Sequence, residues 1–202
     1  RRKNRVNSLA SGREVVVFGP GPSDFPQQLP PLRNYVTAHI LTPKSQTTIA
    51  PLASASRTGD MLYVNGEGVA WLEAQTPENR EETLLRFREC VVKGSPPSFL
   101  QRHTDLAIRQ ARMPNLFMAG LANLGPIIAT DLLAAGATRI FFIGFSFYLG
   151  PQTYRQDQFK YRINAEPDRP ENIGANLPLI LANHNSWENH AVMRNLWLAG
   201  RI

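Results

Sequence analysis

The sequence predicts an α/β fold, a mostly parallel sheet flanked by helices. The first indication is the apolar run at residues 140–143, which suits a strand covered on both faces, as parallel strands usually are. The second is a helical pattern at 124–136 that leads directly into this strand. The third is an apolar strand at 14–18 that runs into a Gly-rich turn at 19–24. Helices and strands that alternate in this way are typical of a parallel sheet.

Size and composition suit one domain that spans residues 1–202. With 202 residues and 43% hydrophobic content, the chain can build one continuous core. A net charge of +6 favours anionic partners, such as nucleotide phosphates, nucleic acid or acidic lipid, without choosing among them. The single cysteine, Cys90, excludes an internal disulfide framework, and its charged helical surroundings predict an ordinary thiol in a reducing, cytoplasmic setting.

No apolar stretch approaches the roughly 20 residues that span a bilayer, so we expect a soluble protein. The basic arm at residues 1–5 can contact acidic lipid head groups or be simply solvated.

The turn after the first strand is the first candidate ligand site. Backbone NH groups around Gly21 and Ser23 can face a phosphate or a ribose, since strands that feed Gly-rich turns often bind nucleotides. A proline-rich connector is the alternative interpretation of this turn.

Two further strands are expected at 35–41 and 60–64. The second ends at Asn65, which can read a base edge or a hydroxyl group. Because Asn-Gly pairs are also common turns, the residues alone favour a turn here.

Helices are expected at 77–92, 99–112 and 187–198. Thr76 is the expected N-cap of the first of these helices, and His103 is expected on a solvated face of the second. The helix at 124–136 has Gly125 and Pro126 in its first turn. Gly125 lets the helix N-terminus approach a ligand, and the partial positive charge there favours phosphate.

Polar side chains follow the strand at 140–143, where ligands gather in parallel sheets. They are Ser146, Tyr148 and, after a Gly-Pro pair, Tyr154. The polar segment 155–176 that follows is too long for a tight connection, and its composition is typical of a lid.

Internal repeats, metal-type Cys/His spacings, GxSxG and P-loop patterns are absent from the sequence. No aromatic and basic repeat of a nucleic-acid recognition module is present either, so we expect no nucleic-acid partner.

Taken in chain order, these features resemble the bacterial sialyltransferases of glycosyltransferase family 42, of the lipooligosaccharide type. The resemblance covers most of the chain and rests on Gly21-Pro22-Ser23, a helix opened by Gly125, the motif Gly144-x-x-Phe147-Tyr148, Tyr154 and His184. It implies a single Rossmann-like domain with a flexible lid at about 155–183. It also implies inverting, metal-independent transfer of sialic acid from CMP-sialic acid to a glycan or glycolipid acceptor.

The resemblance also assigns roles to individual residues. Tyr148 and Tyr154 hydrogen-bond the phosphate of the departing CMP, where phenol donors can stabilise the developing charge. His184, which follows the lid, is the catalytic base that deprotonates the acceptor hydroxyl, and His190 is the weaker candidate. The residues expected to contact the donor are Gly21, Ser23, Asn65, Asn123, Gly125 and Ser146.

Three departures from the family pattern leave the donor sugar open. Pro20 replaces an asparagine, Leu124 replaces a serine, and Ser146 replaces an acid. The alternatives are a transferase that uses a different nucleotide sugar, or a non-catalytic nucleotide- or glycan-binding module. We further expect a homo-oligomer in the cytoplasm, with peripheral contact to the inner membrane face as a possibility.

Overall fold

The structure is a computed structural model. It describes residues 8–19, 35–41, 60–103, 106–112, 123–145 and 186–202. Within these residues, six strands form one parallel sheet with helices on both faces, which confirms the predicted Rossmann-like α/β fold. The strands are β1 (Glu14–Phe18), β2 (Tyr35–Leu41), β3 (Met61–Val64), β4 (Glu89–Val92), β5 (Ala107–Gln110) and β6 (Arg139–Ile143). The helices are α1 (Gly66–Ala74), α2 (Pro77–Leu85), α3 (Ser98–Gln101), α4 (Leu124–Ala134) and α5 (Ser186–Leu198).

The order of the strands in space reverses once. The sheet reads β5-β4-β3-β2-β1-β6, so the chain builds outward from β1 in one direction and then returns to add β6 on the other side. Open α/β sheets bind ligands beyond the carboxyl ends of the strands at such a reversal. In this protein the reversal lies between β1 and β6.

Two of the predicted helices are wrong in their second halves. The helix predicted at 77–92 ends at Leu85, and residues 89–92 form β4, fully buried and paired with β3. The helix predicted at 99–112 is the short α3, after which residues 107–110 form the edge strand β5. His103 therefore lies beyond the end of α3 and on no helix face. Charged residues within or beside these strands produced a spacing of polar and apolar residues that is typical of a helix.

The sheet has two differently packed faces. On one face, Ile127 and Leu132 of α4 and Met193 of α5 pack against Val15 and Val17 of β1. We call this the α4–α5 face. On the other, Leu72, Leu84 and Leu100 of the first three helices pack against the central strands, and this is the α1–α3 face. Each fully buried leucine contributes about 1.5–3 kcal/mol.

Cys90 belongs to the α1–α3 face and lies on β4, where the sequence predicted a helix. Burial raises the pKa of its thiol to about 12, with a smaller contribution from the neighbouring Glu89 carboxylate. The thiol stays protonated at neutral pH, which is unsuited to a nucleophile.

In the part of the chain that the structure describes, no helix has both the length and the apolar character needed to cross a membrane.

Candidate functional site

The carboxyl ends of β1 and β6 meet at the reversal of strand order. Phe18 and Ile143 are partners in register, and the Gly19 amide donates a hydrogen bond of 2.7 Å to the Ile143 carbonyl oxygen. Immediately beyond, Gly144 has a φ of +71°, which glycine adopts without a steric cost. The two chain segments thus leave the sheet side by side.

Gly19 allows an unusually close approach between these segments. A Cβ atom at Gly19 would lie 2.6 Å from the Gly144 carbonyl oxygen and 2.6 Å from the Phe145 ring. The Phe145 ring in turn packs edge-on against Phe142, with centroids 4.9 Å apart. A larger side chain at Gly19 would push apart the backbones that shape this edge of the sheet.

The N-terminus of α4 points toward the same edge. The opposite end of α4 is held at the amino edge, where the Gly12 amide donates to the Gly136 carbonyl oxygen (2.9 Å) and the Thr138 amide donates to the Arg13 carbonyl oxygen (2.9 Å). The 11 residues of α4 span about 16 Å, so its first turn lies near the carboxyl edge. Gly125 and Pro126 of that turn are buried against the core.

Asn123 is the N-cap residue of α4, but its side chain makes no capping hydrogen bond, and the first turn holds no acidic residue. The partial positive charge of the helix N-terminus is therefore not offset locally, which suits an anion such as a phosphate. The Asn123 amide itself donates to Oδ1 of Asn189 in α5 (2.7 Å), and Asn189 is buried.

The direction of α5 follows from contacts at both of its ends. Asn189, in its first turns, meets the start of α4, while the Ile140 amide donates to the Arg201 carbonyl oxygen (2.9 Å) just past its end. The start of α5 therefore also lies at the carboxyl edge. Gly19, Phe145 and the start of α5 thus all lie at the carboxyl edge of the sheet.

Asn65, one of the residues predicted to contact a donor, is the N-cap of α1, so the turn favoured by its local sequence is wrong. Its Oδ1 accepts a hydrogen bond from the Gly68 amide (2.8 Å), which leaves the side-chain NH₂ group for a ligand. β3, which precedes Asn65, is two strands from β1, or about 10 Å. That separation is comparable to the length of a nucleotide.

Six of the predicted site residues lie outside the described residues, as does the expected lid at 155–183, and their roles stay predictions. In the sequence, Gly21 is two residues beyond Gly19, and His184 is two residues before α5. The six are Gly21, Ser23, Ser146, Tyr148, Tyr154 and His184.

A buried histidine that the sequence reasoning did not single out lies close to this edge. His39, level with Phe18 in the sheet, is 4% exposed and stacks on the Phe18 ring with centroids 4.9 Å apart. Burial lowers the pKa of its imidazole to about 4, although the nearby Asp60 carboxylate opposes this shift. His39 is therefore neutral at pH 7 and forms part of the aromatic packing beneath the end of β1.

A cluster of charged groups on the α4–α5 face anchors α4 to the sheet. Asp131 of α4, fully buried, accepts two hydrogen bonds from the Arg109 guanidinium (2.7 and 2.8 Å) and one from the Tyr63 hydroxyl (2.5 Å). Arg109 also pairs with Glu89, and Glu89 accepts from the Leu9 amide (3.1 Å). We call Tyr63, Glu89, Arg109 and Asp131 the buried ion cluster.

The cluster shifts two proton affinities. Burial would lower the pKa of Arg109, but its hydrogen bonds to Asp131 and the charge of that carboxylate raise the pKa above its usual range. Burial, followed by the Asp131 charge, raises the pKa of Tyr63 well above 10.0. At neutral pH, Arg109 therefore stays charged and Tyr63 stays protonated while both hold Asp131 of α4 in position.

Among the residues that the structure describes, no group of three or more His, Cys, Asp or Glu side chains is arranged to hold a metal ion. The expectation of metal-independent chemistry stays a prediction.

Comparison of the chain with protein-family models, with curated proteins and with solved structures gave no match in any of the three. The resemblance to the family 42 sialyltransferases therefore rests on the sequence motifs alone.

Proposed function

We propose that the protein is an inverting, metal-independent glycosyltransferase that moves sialic acid from CMP-sialic acid to a glycan hydroxyl. The observation that supports a nucleotide-type ligand is the reversal of strand order between β1 and β6. The choice of CMP-sialic acid within that class rests on the motif around Gly144, Tyr148 and Tyr154.

The electrostatics of the described edge support an anionic donor. The first turn of α4 carries no acidic residue and no side-chain cap from Asn123, so its amide groups can receive phosphate oxygens. The close contact at Gly19 brings the segments that lead to Gly21 and to Tyr148 out of the sheet together. A donor phosphate bound here would lie between these segments and the start of α4.

In the proposed reaction, His184 accepts the proton of the acceptor hydroxyl as its oxygen attacks the anomeric carbon of the sugar. A new bond forms between that carbon and the acceptor oxygen, while the bond to the phosphate oxygen of CMP breaks on the opposite side. Tyr148 and Tyr154 donate hydrogen bonds to the departing phosphate, where charge accumulates. Inversion follows from the single in-line displacement.

The first experiment measures which nucleotide the protein binds. Thermal shifts with CMP, UMP, UDP and GDP should show selective stabilisation by CMP, because a ligand that binds only the folded state raises its stability by mass action. Selective stabilisation by another nucleotide would indicate a transferase with a different donor. The absence of any nucleotide effect would overturn the proposal.

The second experiment separates catalysis from binding. His184→Ala should lower transfer from CMP-sialic acid by roughly 10²–10⁴-fold while CMP binding is retained, since general-base catalysis contributes about this factor. His190→Ala, an exposed position on α5, is the matched control and should leave the rate unchanged. CMP binding by the wild-type protein without transfer or hydrolysis would identify a non-catalytic binding module.

Four further expectations stay predictions: a glycan or glycolipid acceptor, a cytoplasmic location, a homo-oligomeric state and a single domain over residues 1–202.

A further inference from the structure

Asn189 of α5 is a buried polar residue at a position where the helical pattern favours an apolar one. The residues of α5 that pack into the core include Met193 and Leu196, which follow Asn189 at helical spacing. Asn189 is itself only 1% exposed. A leucine would continue this apolar stripe, whereas a buried amide costs free energy unless it is hydrogen-bonded. The asparagine therefore points to a polar role at this position.

The buried polar side chains of the described residues have different partners. Five polar or charged side chains are buried in the part of the chain that the structure describes. Those other than Asn189 belong to the buried ion cluster, to the segment at residues 8–9 that bonds to it, or to the aromatic packing around His39. Asn189 instead contacts the N-terminus of α4.

The Asn189 side chain holds the backbone at the start of α4. Its Oδ1 atom accepts a hydrogen bond of 2.7 Å from the amide of Asn123, the N-cap residue, whose backbone is extended. The acceptor is buried, and both helices pack into the same core. This hydrogen bond therefore fixes where the N-cap residue lies and which way its backbone turns.

The Asn123 side chain does not serve as a helix cap. An N-cap asparagine usually accepts a hydrogen bond from an amide of the first helical turn, but Asn123 makes no such bond. Its side chain is half-buried at the carboxyl edge of the sheet. The NH₂ group of an asparagine can donate to a phosphate oxygen. The backbone of Asn123 is thus held by α5, while its side chain is not used to cap α4.

The acceptor that α5 supplies to this helix end is uncharged. Aspartate accepts an amide hydrogen bond as well as asparagine does, and the partial positive charge of a helix N-terminus favours it. Neither Asn189 nor the first turn of α4 places a carboxylate there. The arrangement leaves the positive end of α4 to an anionic ligand.

We propose that Asn189 is a positioning residue of the donor site, which holds Asn123 so that its side-chain amide donates to the donor phosphate. Asn189 acts through Asn123 and does not itself contact the donor. The inference rests on the proposed function, since it takes a nucleotide phosphate as the ligand. It gives α5, which begins two residues after the proposed base His184, a part in donor binding as well.

The test compares the affinities of each variant for CMP and for cytidine, which differ only in the phosphate. Asn189→Leu continues the apolar stripe of α5 but leaves no acceptor for the Asn123 amide. The ratio of CMP affinity to cytidine affinity should fall roughly tenfold, as expected for one lost hydrogen bond to a charged group, while cytidine affinity changes little. Isothermal titration calorimetry measures both affinities, and circular dichroism checks that the variant is folded.

A second variant tests the same contact without any change in α5. Asn123→Ala removes the side chain that is placed on the phosphate and keeps the backbone amide that bonds to Asn189, and the affinity ratio should again fall roughly tenfold. The double variant should lose little more than either single variant, because residues that act through one another are not additive. Additive losses in the double variant, or an unchanged ratio in Asn123→Ala, would overturn the inference.

Met193→Ala is the matched control, since it changes another buried residue of α5, one turn beyond Asn189. It should lower the urea midpoint and keep the wild-type affinity ratio. An equal fall of the ratio in this variant would attribute the effect to loosened packing of α5 and sink the inference.

The wild-type protein separates the two possible failures. If it binds no nucleotide, the proposed function fails and the role of Asn189 fails with it. If it prefers CMP to cytidine and the Asn189 and Asn123 variants keep that preference, the role of Asn189 alone is wrong.

Discussion

The two faces of the sheet treat buried ionisable groups in opposite ways. On the α4–α5 face, the Arg109 guanidinium remains charged because the carboxylates of Asp131 and Glu89 surround it in the buried ion cluster. On the α1–α3 face, His39 is packed between the rings of Phe18 and Phe87, and burial keeps it neutral. A buried charge is retained where partners offset its desolvation, and it is neutralised where apolar rings surround it.

The largest expected effect comes from breaking the buried ion cluster. Asp131→Asn removes the carboxylate that faces Arg109 and leaves a buried guanidinium with fewer partners, so the free energy of unfolding should fall by about 3–5 kcal/mol. Glu82→Gln, which breaks the exposed ion pair with Arg86, is the control and should cost less than about 1 kcal/mol. Urea denaturation measures both variants, and similar small losses in the two would show that the cluster does not anchor α4.

On the α1–α3 face, His39 should make the free energy of unfolding depend on pH. The folded-state pKa of His39 is about 4, below the 6.5 of an unperturbed imidazole, so the unfolded state binds more protons between these values. The contribution to stability is therefore complete above about pH 6.5 and is lost as the pH falls toward about 4. The total loss is up to about 3 kcal/mol.

Denaturation of wild type and of His39→Leu across this pH range isolates that contribution. The variant should lack the part of the pH dependence that arises from His39, whatever its absolute stability. His103→Gln, which changes a half-buried histidine outside the core, is the matched control. An unaltered profile in His39→Leu would mean that His39 does not titrate abnormally in the folded protein.

A smaller effect on stability is expected from a substitution of Gly19, at the carboxyl ends of β1 and β6. Gly19→Ala introduces a Cβ atom 2.6 Å from a backbone oxygen of Gly144, so the two segments must shift, at a cost of about 1–3 kcal/mol. Gly94→Ala, where the added atom meets nothing within 4 Å, is the matched control. Thermal denaturation would compare the two, and equal melting temperatures would contradict the close approach at Gly19.

The smallest effect concerns the helix caps on the two faces. Asn65→Ala removes a capping hydrogen bond from α1 and should cost about 1 kcal/mol. Asn123→Ala changes the N-cap of α4, whose side chain makes no such bond, and should stay within about 0.5 kcal/mol of the wild type. Urea midpoints of the two variants give the comparison. A larger loss of stability in Asn123→Ala than in Asn65→Ala would contradict the assignment of Asn65 as the residue that caps its helix through its side chain.

The strands with continuous apolar runs were predictable from the sequence. The strands predicted at 14–18, 35–41 and 140–143 correspond to β1, β2 and β6, and the helices predicted at 124–136 and 187–198 correspond to α4 and α5. Each of these segments carries its own local signal, either an apolar run or helical spacing.

The strands β4 and β5 were missed because their polar residues are stabilised by distant partners. Glu89 and Arg109 read as solvated charges in the sequence, but they pair with each other across neighbouring strands and, through Arg109, with Asp131. Asn65 was ambiguous for a different reason, since a turn and a helix cap use the same side-chain oxygen. At the candidate site, the resemblance assigns residues that follow β1 and β6 and residues at the start of α4 to one donor. The roles of Tyr148, Tyr154 and His184 stay predictions.

The pairing of β1 with β6 also bears on how the protein is synthesised. Glu14 and Arg139 are register partners although they lie 125 positions apart in the sequence, so β1 is an edge strand until β6 leaves the ribosome. Such long-range pairing slows folding, because a large loop must close before its contacts form. The nascent chain therefore completes the edge formed by β1 and β6 late, and a truncated product that lacks β6 would expose one side of β1 to aggregation.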